Sequence, residues 1–309
     1  MEFNHISVLR NESIEGLNIN PNGFYVDCTL GGGGHSLEIA KRLDNGKLIS
    51  IDKDEDALNF AKTRLSEYLD KIIFVKGNFA DIDKILDNAG VENVDGILAD
   101  LGVSSFQLDT GERGFSFKKD ARLDMRMDKS QSLDAEFVVN NYSEEELSKI
   151  LYTYGEEKNA RQIARKIVKI REKQPIKTTF QLRDIVVSSY PPKYQNKASL
   201  CNKAFQAIRI EVNNELKDLT LAVEKMLSRL KKCGRICIIT FHPLEDRIVK
   251  QAFKLHSTDC ICPPRIPKCV CNHKADIKLI TKHPIVPSET ELNANSRSAS
   301  AKLRIAEKL

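Results

Sequence analysis

The chain has 309 residues, with 48 Lys and Arg against 43 Asp and Glu and a formal net charge of +5. Its length gives a prior of roughly two domains. At 41% hydrophobic and 29% charged its composition is globular, which excludes wholesale disorder, collagen and coiled-coil rods.

Strand and helix patterns alternate through the first hundred residues. Phe24–Thr29 reads as a buried strand ending in a glycine run, with a helix over His35–Leu43. Lys47–Ile51 is a second strand and Asp54–Leu65 has helical apolar spacing; Ile72–Val75 and Ile82–Ala89 repeat the pair. Val94–Asp100 is a fourth strand. Repeats of this size predict an α/β fold, a mostly parallel sheet with helices on both faces. The alternation stops over 101–130, rich in Gly, Asp and Ser, and a mainly helical stretch follows. Ser143–Glu146 and Thr178–Gln181 are capping-box patterns. A long helix is expected from Ala204 to Lys232, closed by Gly234. Strand signals resume at Arg235–Phe241, then at Ile277–Ile280 and Lys302–Ile305. The simplest organisation is a helical domain inserted into an α/β domain: 1–105 and 216–309 around 106–215.

Charge is uneven along this chain. From Lys158 to Lys203 twelve basic residues face only Glu172 and Asp184, so that segment carries +10 and the remainder −5. A solvated helix face is the ordinary source of such a run. Here Lys158, Arg161, Arg165 and Lys169 recur at helical spacing opposite Ile163, Ile167 and Ile170, and a basic stripe on a packed helix attracts phosphate backbones. No apolar run reaches the about 18 residues of a membrane span. The first residues lack a basic and then apolar leader, and eight cysteines in a chain this long do not read as a disulfide framework. A cytoplasmic protein without a membrane partner is expected.

The glycine run Gly31–Gly34 sits between strand and helix, where backbone amides can approach a ligand. Asp52 ends the next strand, about 20 residues on, where a carboxylate accepts ribose hydroxyls. The third glycine of a dinucleotide fingerprint is missing, since Ser36 or Leu37 occupies its place, and there is no Gly-Lys-Ser/Thr. A nucleoside cofactor without pyrophosphate remains, and S-adenosylmethionine fits. Phe79, beyond the third strand, is a candidate adenine face or a core residue. Asp100 ends the fourth strand at the switch point of such sheets, placed to hold a ligand ammonium or to accept from a substrate amine. Methyl transfer to an amine needs positioning and desolvation but no covalent nucleophile. Transfer to a pyrimidine carbon would want an activated cysteine, and Cys28 and Cys201 are isolated in sequence.

Six ordered segments together carry a resemblance. They are Val26–Ser36, Asp100–Asp109, Gly114–Phe117 with Leu123–Asp128, Tyr154–Arg165, Phe205–Asn213 and Leu244–Lys250. The chain resembles the bacterial small-subunit ribosomal RNA cytosine-N4 methyltransferases, the MraW family, from His5 to the Ser298–Glu307 terminus. The resemblance implies a class I methyltransferase fold, Rossmann-like with a C-terminal antiparallel strand, and S-adenosylmethionine as donor. It implies transfer to N4 of a cytidine in the decoding region of 16S rRNA, within the 30S subunit. A monomer or homodimer is expected. Family cofactor contacts fall on Gly33, Gly34, His35, Asp52, Phe79, Asp100 and Gln107, and Asp100 is the candidate catalytic acceptor. Phe106, Phe115 and Phe117 are candidate stacking faces for the RNA base, or core. A small-molecule methyltransferase would not need the basic insert; a non-catalytic ribosome-assembly factor could keep the same fold. Two segments depart from the family pattern. The usual Phe-His-Ser-Leu-Glu-Asp reads Phe241-His-Pro-Leu-Glu-Asp246, and a segment often His-Pro-Ala-Thr-Arg reads Ala198-Ser-Leu-Cys-Asn-Lys203. Both put substrate contacts in question rather than the cofactor site. His242 reads as a structural histidine before it reads as a base.

Cys260, Cys262, Cys269 and Cys271 form C-x-C-x6-C-x-C, with His273 nearby and Pro263, Pro264 and Pro267 between the pairs. The first reading is reduced thiols in a surface loop, the second a structural zinc site, the third a disulfide or redox pair. The one-residue spacers are tighter than the usual zinc spacing.

Overall fold

The structure is a computed structural model that describes residues 7–104, 107–108, 110–195, 199–263 and 269–309. Phe106, Ala198, Pro264 and Pro267 lie outside the described residues. The chain divides into two compact units, one of Met1–Gly102 with Leu216–Leu309 and one of Val103–Glu215.

The first unit holds a seven-stranded sheet. In chain order its elements are α1 (Arg10–Leu17), β1 (Phe24–Asp27), α2 (Gly34–Ala40), β2 (Lys47–Asp52), α3 (Glu55–Arg64), β3 (Ile72–Lys76), α4 (Ile82–Asn88) and β4 (Val94–Asp100). After α5 (Ala135–Asn141) to α9 (Leu200–Asn213) of the inserted unit come α10 (Glu215–Ser228), β5 (Leu230–Thr240), α11 (Pro243–His256), β6 (Ile277–Leu279), α12 (Glu289–Ala294) and β7 (Lys302–Lys308). The sheet order is β3-β2-β1-β4-β5-β7-β6, parallel from β3 to β5, with β7 antiparallel to both neighbours.

Strand alternation divides the core between two faces. Val26, Ile49, Ile51, Ile97, Ile236 and Ile238 pack with α4, α10 and α11, while Tyr25, Leu48, Leu98, Cys237 and Ile239 pack with α1, α2 and α3. The order reverses between β1 and β4, so the crevice beyond their carboxyl ends is the ligand position of open α/β sheets. Among the described residues no helix is long and apolar enough to cross a membrane.

The single helix expected from Ala204 to Lys232 is two helices and the start of a strand. α9 (Leu200–Asn213) stops at Asn214, whose φ of 50–60° is left-handed, and α10 restarts at once. The apolar period runs unbroken through Ile208, Val212, Leu219, Val223 and Met226, so periodicity alone does not reveal the break. β5 starts at Leu230 rather than Arg235. Its pairing jumps from Val94–Leu230 to Gly96–Arg235, and Cys233, at φ 65°, takes up the extra residues beside Gly234.

The second unit has its own core. Besides α5 and α9 it contains α6 (Glu144–Gly155), α7 (Ala160–Arg171) and α8 (Thr179–Ser188), packed around Leu123, Val138, Leu151, Ile163, Ile167, Leu182, Phe205 and Ile208. Both capping boxes form, Ser143 with Glu146 and Thr178 with Gln181. The Leu123–Asp128 segment is tied to α9 by buried Asn213. Its Oδ1 accepts from the Met127 amide at 2.8 Å, and its Nδ2 donates to the Met125 carbonyl at 2.8 Å and the Arg209 carbonyl at 2.9 Å. Asn213→Ala leaves those groups without their partner, which costs about 2–4 kcal/mol. Urea denaturation of the full chain checks this; a loss below about 0.5 kcal/mol, the scale of a surface substitution, contradicts it.

Candidate functional site

Three parallel strands end together at the crevice, each in an aspartate or next to one. Asp27 closes β1, Asp52 closes β2 and Asp100 closes β4. The turn after β1 stitches these ends to one another. Leu30 N–H donates to the Ile51 carbonyl at 2.9 Å, and Gly31 N–H donates to Asp52 Oδ2 at 2.8 Å. The Asp100 amide donates to Thr29 Oγ1 at 2.6 Å, which fastens β4 to the same turn. Gly33 needs its glycine: φ is +74°, and an added Cβ would lie 3.2 Å from Leu65 and 3.3 Å from Ala61. At Gly34 an added Cβ would strike Ser7 Oγ.

Asp52 accepts one backbone N–H on each oxygen, from Gly31 and, at 2.8 Å, from Asp54. Each oxygen keeps acceptor capacity for a vicinal diol. Burial pushes its carboxyl up to about 6 against those two hydrogen bonds. Asp27 is also pushed to about 6 by burial; Ser36 Oγ donates to it at 2.6 Å and the Thr29 amide at 3.1 Å. Asp27 is thus wall rather than mouth.

Asp100 differs from both. Its Oδ1 is buried and has no hydrogen-bond partner among the described residues. Its Oδ2 lies 3.7 Å from His35 Nδ1, on the first turn of α2. His35 Nε2 is 3.2 Å from the Val8 carbonyl, which can only accept, so that nitrogen carries a proton. Burial, then the negative charges of Asp27, Glu245 and Glu291, drive the Asp100 carboxyl well above the carboxylate range. An orphaned buried carboxylate oxygen amid negative charge fits a cationic ligand, and a sulfonium amino acid is one. Phe79 follows β3 in a turn capped by Asn78, and Lys53 Nζ sits 5.6 Å from its ring centroid. The donor set fits S-adenosylmethionine: a diol acceptor at Asp52, an apolar ring at Phe79 and an anion at Asp100.

The remaining candidates lie elsewhere. Gln107 belongs to the second unit, where its Oε1 accepts from the Ser104 amide at 3.1 Å. Arg161, Arg165 and Lys169 lie exposed along α7, with Ile163 and Ile167 buried, while exposed Lys158 precedes the helix. Phe115 is buried in the second core, and Phe117 packs edge-on against Phe205 with centroids 5.3 Å apart. His242 is the N-cap of α11 and forms a capping box with Glu245, while its buried Nε2 has no hydrogen-bond partner among the described residues. Pro243 then occupies the first turn, where a missing N–H costs nothing, which accounts for that departure. Asp246 grips Arg304 at 2.7 Å and Lys302 at 3.4 Å, fixing β7.

Comparison with known proteins places this geometry. The pattern of the MraW methylase family matches residues 2–309. The chain belongs to the MraW methylase family. It is 55% identical over 311 residues to a protein of Finegoldia magna named Ribosomal RNA small subunit methyltransferase H, with both chains covered in full. A Clostridioides difficile protein of the same name is 53% identical, again over the full length of both. Among solved structures, an rRNA methylase from Streptococcus thermophilus aligns over 99% of each chain at 13% identity and TM-score 0.45. The mostly parallel α/β sheet described above is the one the sequence predicts.

Thr29 was not evident as a site residue in the sequence, nor was the group around Lys53, in which Lys53 and Asn78 both reach Asp218 Oδ2, at 2.7 and 2.6 Å. Their only signal is their place beside strand ends. We propose that the ionised form of Asp52 takes the ribose hydroxyls; donor affinity then weakens as pH falls through about 6, and protonation of Asp100, whose carboxyl burial raises well above its ordinary value, weakens it in the same direction. Calorimetry with S-adenosylhomocysteine should show about tenfold weaker binding per pH unit below that point. Affinity that stays flat from about pH 7.5 to about pH 5 contradicts the assignment.

Proposed function

We propose that this protein is an S-adenosylmethionine-dependent methyltransferase acting on N4 of a cytidine in the decoding region of 16S rRNA, within the 30S subunit. The observation that carries the reading is the unpartnered Asp100 Oδ1 at the β1/β4 switch point, above a turn whose amide is fixed by Asp52. The family membership and the names of its full-length relatives support the RNA substrate. When bound, the donor supplies an activated methyl group on a sulfonium.

The chain's own residues do the rest. Asp52 orients the nucleoside by its ribose and Phe79 offers an apolar face. Asp100 accepts an N–H of the target amine. A cation in the crevice favours the ionised form of Asp100, while its burial makes it a stronger base than an exposed carboxylate. It is therefore suited to take the proton that N4 sheds once the new N–C bond forms. Lys158, Arg161, Arg165 and Lys169 engage phosphates, as an exposed basic stripe on a buried helix does. The target base leaves its stack at a cost of a few kcal/mol, less in an irregular strand.

Nucleoside mass spectrometry of 16S rRNA from cells with and without this protein tests the reading. N4-methylated cytidine should fall on deletion and return with the wild-type chain; an unchanged nucleoside profile contradicts it. Asp100→Asn should lower turnover on 30S particles at saturating donor by about 10²-fold or more, a loss separate from any weakening of donor binding. Full turnover in that variant would remove Asp100 from the chemistry.

A further inference from the structure

Between α11 and β6 the chain makes an excursion over 257–276 in which no apolar side chain is buried among the described residues. Ile261 is 51% exposed and Val270 71%. A segment with no core needs another source of order. Its base is pinned by polar contacts alone. The Asp276 amide donates to the His256 carbonyl at 2.9 Å, and the His256 ring bridges Asp276 and Glu224 at 2.8 Å each. His273 Nε2 donates to the Leu255 carbonyl at 3.0 Å, and the Ala275 amide to Asp259 Oδ1 at 3.2 Å.

Beyond this base four sulfurs converge. Cys269 Sγ lies 3.4 Å from that of Cys260, 3.5 Å from Cys271 and 4.0 Å from Cys262; Cys260 and Cys271 are 3.9 Å apart. All four lie within 4.8 Å of one another. A disulfide has its sulfurs about 2.05 Å apart, and all four cysteines are free. A tetrahedron of zinc–sulfur bonds about 2.3 Å long has edges of about 3.8 Å, the middle of the observed range. The Val270 amide points at Cys262 Sγ from 3.5 Å, a donor that disperses thiolate charge. His273 is not among the ligand atoms that converge, so the ligand set is four sulfurs. The one-residue spacers are no obstacle, because Cys269 and Cys271 already bring their sulfurs to one centre.

We propose that Cys260, Cys262, Cys269 and Cys271 hold one zinc ion in a closed tetrahedral site that fastens the 257–276 excursion. Four protein ligands leave no open position, so the ion is structural and takes no part in methyl transfer. Soft thiolates in this geometry select zinc over oxygen-loving cations.

The test is metal analysis by mass spectrometry of the full chain purified without chelator. About one zinc per chain is expected, falling below about 0.2 in Cys262→Ser and in Cys271→Ser. Cys233→Ser, an exposed cysteine outside the cluster, should keep the full equivalent. Should the ligand variants fail to fold, a mercurial titration of the wild type decides: zinc must leave in step with four thiols. Less than about 0.2 zinc in the wild type, iron in its place, zinc retained in the ligand variants, or an unreduced mass lower by two hydrogens per sulfur pair would each overturn the site.

Discussion

The Gly31 amide and the Asp52 carboxylate, 2.8 Å apart, join the turn after β1 to the end of β2. With the bond from the Asp100 amide to Thr29 Oγ1, this sets three strand ends in one rigid frame. The glycines make the frame possible because a side chain at position 33 or 34 would collide with Leu65 or Ser7. Everything proposed for this crevice depends on that frame, since neither Asp52 nor Asp100 could face a common ligand from free loops.

The frame gathers negative charge. Asp27, Asp52 and Asp100 are all shifted upward, chiefly by burial. A carboxylate whose folded pKa is raised binds its proton more tightly in the fold than in the unfolded chain. Asp27 and Asp52 therefore cost the fold stability as pH rises from the ordinary 3.8 to about 6. A crevice built this way is relieved by a cation, and the unpartnered Asp100 Oδ1 is where relief is greatest. Stability given up locally in exchange for ligand affinity is the usual arrangement of a functional site. The second unit differs: its exposed arginines and lysine on α7 stand over a buried isoleucine face, a basic surface on a packed scaffold.

Much of this was legible in the sequence for definite reasons. Strands buried on both faces read as apolar runs, so β1, β2 and β4 were placed to within a few residues, the half-exposed edge strand β3 is as apolar in sequence, and the capping boxes at Ser143 and Thr178 announced their helices. Asp52 and Asp100 were legible as strand-end carboxylates because a strand end is a position that sequence reveals. The break at Asn214 was hidden because an asparagine in the left-handed region leaves the apolar period intact. The early start of β5 was hidden by Lys231 and Lys232, charged residues on an exposed stretch of strand. Thr29 gave no sign, since a threonine hydroxyl that accepts across strands looks like any other. The four cysteines were visible as a pattern, but only the fold brings their sulfurs together at one point.

The most direct test of the central claim is an experimental structure of the full chain with S-adenosylmethionine bound. The ribose hydroxyls should rest on Asp52, and a cationic or N–H group of the ligand or an incoming amine should stand within hydrogen-bonding distance of Asp100. A donor bound elsewhere, or bound with Asp52 and Asp100 both turned away from it, would contradict the account.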